Sequence, residues 1–177
     1  MKKFFVLAAL TAASFTTFAQ DNKETKKLSF SIGLDAQLPM GDADVYGLGL
    51  GGSAMGAYNV SDDLAITLSA GYIGFKTKDP VVIGINPVTL ALITGDYKIS
   101  FIPVLAGIKY GFSSMFYGSA QLGVSIAGGD ADGSNFTYAP GVGVKFSNFD
   151  VLLKYTGMST KGGGNFNTIG LRAAYNF

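Results

Sequence analysis

From Leu28 onward, apolar residues alternate with small or polar ones, and no apolar run beyond the amino-terminal leader grows long enough to cross a bilayer as a helix. The longest candidate, Val81 to Ile93, is broken by Asn86 and Pro87. Period-two alternation means strands with two different faces. The closing stretch NTIGLRAAYNF shows the pattern: Ile169, Leu171, Ala173, Tyr175 and Phe177 fall on one parity, while Thr168, Gly170, Arg172, Ala174 and Asn176 fall on the other. Slipping this strand by one residue would exchange the two sets, so an apolar environment on one side fixes its register.

The amino terminus, MKKFFVLAALTAASFTTFAQ, has two lysines, an apolar run from Phe4 to Ala13 and a small-residue stretch ending at Ala19. It reads as a secretory signal peptide over residues 1–19, followed by a short segment over 20–27 and a single domain over 28–177. The formal net charge is only +1, and Lys2 and Lys3 leave with the leader, so nothing suggests a nucleic-acid partner. Cysteine is absent, which rules out a disulfide scaffold. Histidine is absent as well, which removes Ser-His and Cys-His nucleophile pairs, histidine metal sites and the usual general base near neutral pH. The sequence therefore predicts no enzyme and no cofactor. Hydrophobic residues make up 48% of the chain and charged residues 14%, against roughly 25% charged in an average globular domain. An exported chain this apolar, without a spanning helix, must bury its apolar face in a core or show it to lipid through strands.

Eight strands can be laid out: 28–37, about 47–59, 64–75, about 101–112, about 116–127, about 136–146, about 150–156, and the final strand ending at Phe177. The connections at 59–63, 111–115 and 147–149 are short; those at 38–46, 76–96, 128–135 and 157–165 are longer. Short turns at one end and long loops at the other, joining strands of about ten residues, predict an all-β, eight-stranded antiparallel up-and-down transmembrane barrel with its short turns in the periplasm. The segment from Lys76 to Asp96 admits two readings, an extension of the flanking strands above the membrane or an extra hairpin turning about Gly95-Asp96 that raises the count to ten. Its alternating Val88, Leu90 and Leu92 favour extension, and its apolar character offers a contact surface for lipid, ligand or partner.

Orientation follows from the charges. Asp35, Lys109, Lys145, Lys154 and Arg172 sit on the parity opposite the aliphatic residues, among glycine, serine and threonine. An eight-stranded barrel has an interior just wide enough for side chains to fill, so the small and charged face belongs inside and the aliphatic face meets lipid. The opposite arrangement, a soluble periplasmic barrel with an apolar ligand cavity, would place charge outside. Aromatics gather near both strand ends: Tyr58, Tyr110, Phe112, Phe116, Phe146, Phe149, Tyr175 and Phe177 by the short turns, and Tyr46, Tyr72, Phe75, Tyr97, Phe136, Tyr138 and Phe166 by the long loops. These predict two interfacial girdles.

The terminal Phe177, with Tyr175 two residues before it, resembles the carboxy-terminal assembly signal of Gram-negative outer-membrane proteins. The whole chain from residue 28, including IPVLAGIKY at 102–110 and the strand from Tyr117 to Val124, is similar to small OmpA/OmpX-type or porin-family barrels. The fuller signal usually has glycine where this chain has Arg172, with Gly170 displaced by two. The resemblance implies a place in the outer membrane, lipid as the surroundings, and recognition of the last strand by the barrel-assembly machinery; it leaves the surface partner open.

Five charged residues are the candidate site. Asp35 is expected to pair with Arg172, since the first and last strands are neighbours in a closed barrel, while Lys109, Lys145 and Lys154 add positive charge. As a buried, paired network they would plug the lumen; as a basic conduit they would select small anions. The sequence GDAD occurs at Gly41–Asp44 and again at Gly129–Asp132, but the fuller calcium-loop pattern is missing and both read as solvated turns. Glu24, near the mature terminus, does not replace the missing catalytic base.

Overall fold

A computed structural model of the chain describes residues 27–78, 81–85, 92–95, 98–129, 133–159 and 164–177. The leader expected over 1–19, Glu24, Tyr97 and the acidic residues of the second GDAD lie outside the described residues. No helix among the described residues is long and apolar enough to cross a membrane.

The strands are β1 (Leu28–Met40), β2 (Gly49–Asn59), β3 (Leu64–Lys76), β4 (Val81–Ile85), β5 (Leu92–Gly95), β6 (Lys98–Gly111), β7 (Phe116–Gly129), β8 (Gly133–Phe146), β9 (Phe149–Ser159) and β10 (Asn165–Asn176). Eight of them close into an antiparallel barrel in the order β1-β10-β9-β8-β7-β6-β3-β2. The seam between first and last strands is a full ladder, from Ser31↔Asn176 to Met40↔Asn167, so the barrel presents no free edge. Several strands run two or three residues further toward the long loops than apolar alternation suggests, as at Lys98, Gly133 and Ser159. There the ladder continues beyond the lipid-facing band, so hydrogen bonding persists after the apolar signal ends.

The remaining two strands, β4 and β5, form a hairpin of their own outside the barrel sheet. The flanking strands β3 and β6 stay paired as far as Lys76↔Lys98. Neither sequence reading holds as made: β3 ends at Lys76 and β6 begins at Lys98, the barrel stays at eight strands, and the hairpin stands outside it, turning between Ile85 and Leu92 rather than at Gly95-Asp96. Val88 and Leu90 lie outside the described residues.

The lipid-facing surface is aliphatic. Leu34 is 76% exposed, and Leu50, Leu68, Leu122, Val142 and Leu171 are also largely exposed. Every aromatic of the expected periplasmic girdle is exposed at the short-turn end. At the other end only part of the expected girdle faces outward: Tyr72, Phe136 and Tyr138 are exposed, but Phe75 and Phe166 are buried and Tyr46 is half-buried. Phe75 and Phe166 lie on the inward parity of β3 and β10. With Ile73, Ile99, Phe101, Met158 and Ala43 they form an apolar cluster inside the barrel mouth. Its rings pack edge-on or tilted, with Phe166 centred 5.1 Å from both Phe75 and Phe101 and 5.6 Å from Tyr46. Ala43 arrives on a short 3-10 turn, Gly41–Ala43, that carries the β1–β2 loop over the mouth. The loop is tied down by backbone bonds Gly47 N–H to Lys76 O and Lys78 N–H to Val45 O, and by an exposed Lys78–Asp44 ion pair.

Candidate functional site

Below the aromatic cluster the lumen is polar, and its side chains can be followed down the barrel axis. Uppermost are neutral pairs. The Thr137 hydroxyl donates to Ser125 Oγ (2.8 Å), the Thr168 hydroxyl to Gln37 Oε1 (2.8 Å), and Gln121 Nε2 to Ser69 Oγ (3.1 Å). Thr156 Oγ1 is buried with no hydrogen-bond partner among the described residues.

The next layer is ionic. Asp35 on β1, 5% exposed, accepts from Lys154 Nζ at 2.6 Å and from Ser53 Oγ at 2.5 Å. Arg172, 2% exposed, donates from Nε to that same Ser53 Oγ (2.8 Å) and from Nη2 to Ser31 Oγ (3.0 Å). Asp35 and Arg172 do stand opposite each other across the β1–β10 seam, as the strand order implies. The carboxylate nevertheless takes its ion pair from Lys154, one strand further round, and meets Arg172 through Ser53. The register neighbour of Lys154 on β10 is Gly170, whose missing side chain leaves room for Gln37.

A second ionic group sits nearer the periplasmic end. Lys109 Nζ on β6 lies 2.5 Å from Asp150 Oδ2 on β9 and 3.6 Å from the centre of the Tyr117 ring, a cation–π contact. The Tyr117 hydroxyl donates to the other Asp150 oxygen. The Tyr117 ring lies over Gly143, where a Cβ would come within 2.2 Å of it. Here a glycine on β8 is the point at which a long side chain crosses a strand.

Asp150 and Tyr117 were not among the sequence candidates, although both were within reach of parity. Asp150 shares the inward face with Leu152 and Lys154 but looked like the opening residue of a strand beside a turn. Lys145, by contrast, is exposed at the periplasmic mouth. It takes part in no ion pair recorded among the described residues and lines, with Lys109, Tyr117, Ser31, Asn59 and Asn148, a vestibule of about 520 Å³. Of the five candidates, then, four stand in the two ionic groups and Lys145 stands at the entrance.

The arrangement can hold the barrel shut. Two carboxylates and three cations line the lumen from its middle to its periplasmic end, each bonded to a neighbour, and the aromatic cluster caps them from above. It presents no nucleophile–base pair, and no group of three or more potential metal ligands occurs among the described residues.

Comparison with known proteins gives the following. A family model described as an outer membrane protein β-barrel domain matches residues 5–177. The structure of Ail, the attachment invasion locus protein of Yersinia pestis, in complex with the heparin analogue sucrose octasulfate, is similar with a TM-score of 0.55 at 20% identity, covering 85% of this chain and 97% of that one. The N-terminal β-barrel domain of Pseudomonas aeruginosa OprF gives 0.50 at 18% identity, covering 84% and 97%. A de novo designed transmembrane β-barrel gives 0.52 at 14% identity, covering 84% and 95%. No curated protein matches by sequence.

Proposed function

Because the chain belongs to the outer-membrane β-barrel domain family, we propose that it serves a structural or surface-interaction role as a closed barrel rather than as a pore or an enzyme. Its place is the cell outer membrane, with lipid around its aliphatic face. In this reading residues 1–19 are the cleaved export leader, residues 20–27 a short periplasmic segment, and residues 28–177 the barrel. Strand β10 together with Phe177, which follows it, is the segment presented to the barrel-assembly machinery, and the long loops meet the surface partner.

The observation that supports this reading is the side-chain packing of the lumen: Phe75, Phe101 and Phe166 pack together at the mouth, and Asp35, Lys154 and Arg172 are joined by an ion pair and hydrogen bonds below them. Planar-bilayer recording on the purified full-length chain tests it. Wild-type protein is expected to give no sustained conductance, and Phe75→Ala, which opens the cap, is expected to give brief openings. Steady wild-type conductance would overturn the closed reading. The second reading, a small-solute channel, draws on the 520 Å³ vestibule and on the excess of cations over carboxylates in the lumen. Steady, anion-favouring currents are its signature.

A further inference from the structure

The lipid-facing wall is not uniform. Across β6 to β10 a shallow groove of about 600 Å³ is sunk into it, almost wholly apolar. Its floor is Ala120 on β7 and Pro140 on β8, which stand opposite each other in register. Tyr110 and Phe112 wall one end and Leu153 and Ile169 the other, all exposed.

Pro140 gives this floor a particular chemistry. A proline inside a central strand removes a ladder donor, and strands usually exclude it there. Here the β8–β9 ladder steps from Tyr138↔Gly157 to Gly141↔Lys154, leaving Ala139 and Pro140 outside it. A missing bond in a membrane wall would ordinarily leave an unsatisfied N–H facing hydrocarbon, at a cost of several kcal/mol. Proline has no N–H to leave unsatisfied, so the interrupted seam turns one polar donor fewer toward hydrocarbon.

We infer that this groove seats one acyl chain of a phospholipid from the periplasmic leaflet. The groove is continuous with the established lipid-facing band, which identifies its occupant as lipid. Its Tyr110–Phe112 end lies at the short-turn girdle, so the chain enters from the periplasmic leaflet and runs toward mid-membrane at Ile169. Tyr110, Ser119, Lys154 and Tyr155 contribute to its lining, yet the surface it offers is almost wholly apolar, which suits a hydrocarbon tail rather than a polar ligand. Lipid tails are as apolar as leucine, so the attraction is close packing rather than water exclusion.

The test uses the full-length chain extracted in mild detergent, with native mass spectrometry to count bound phosphatidylethanolamine at fixed lipid concentration. Wild type is expected to retain a single lipid. Ala120→Trp fills the floor and is expected to lower occupancy roughly fivefold or more, as the loss of about ten close carbon–carbon contacts dictates. Ala54→Trp, exposed on β2 away from the groove, is expected to leave occupancy unchanged; heat-modifiable gel migration confirms that both variants are folded. Equal retention by wild type and Ala120→Trp overturns the inference. So does efficient disulfide dimerisation of Ala120→Cys in vesicles, possible to read cleanly because the chain has no other cysteine, since it would make a second copy the occupant.

Discussion

Replacing Asp35 by asparagine keeps the shape of the side chain and removes its charge. Asp35 is 5% exposed, and the Lys154 side chain it neutralises is 12% exposed, so this pair is buried rather than screened. After the change, Lys154 and Arg172 are left as two cations in one layer with no carboxylate between them. Removing one partner of a buried pair costs about 3–5 kcal/mol, because the surviving charge stays desolvated. The asparagine can still accept from Ser53, which recovers part of the neutral hydrogen bonding but none of the charge balance, so about 3 kcal/mol is the expected loss. The assay is equilibrium urea unfolding from phospholipid vesicles, followed by circular dichroism and by the heat-modifiable gel band. Lys154→Met is made alone and together with Asp35→Asn. Removing both charges relieves the strand-crossing lysine as well, so the double variant is expected to be more stable than the sum of the single losses by about 2 kcal/mol. An Asp35→Asn loss under about 0.5 kcal/mol, or strict additivity in the cycle, refutes the argument that this layer is a desolvated charge network.

Three further outcomes are expected. Leu34→Arg, at the most exposed aliphatic position midway along β1, should cost about 2–4 kcal/mol in vesicle unfolding because the guanidinium enters hydrocarbon. Gly143→Ala should cost about 1–3 kcal/mol, since its Cβ would displace the Tyr117 ring, and should cost almost nothing in a Tyr117→Ala background; equal costs in both backgrounds would show that the ring is not the obstacle. Ser147 holds a φ of 51° in the Phe146–Phe149 turn, a conformation that penalises a Cβ, so Ser147→Gly should stabilise by about 1 kcal/mol in the same assay.

The barrel was legible because lipid makes the two faces of a strand chemically opposite. In β10, one residue of slip would exchange Arg172 with Leu171, so parity alone fixed both the register and the side that faces inward. The same parity already placed Phe75 and Phe166 on the inner face, yet their position near strand ends read as interfacial. End position and face are separate variables, and near the loops the interior itself becomes apolar. Partner choice was less legible. Adjacent strands gave the Asp35↔Arg172 register, but the ion pair Asp35–Lys154 spans β10, and Lys109–Asp150 spans two intervening strands. Such reaches depend on barrel radius and on where glycines open a crossing, which no single strand encodes. The hairpin β4–β5 was ambiguous for another reason: a run of apolar residues outside the barrel has no lipid face to fix its phase.

Pairing of the first barrel strand with the last brings the two ends of the wall side by side, with Ser31 beside Asn176. The cylinder is therefore a ring with an arbitrary starting point: joining the strands through a short linker and cutting at the β7–β8 loop would preserve every neighbour relationship.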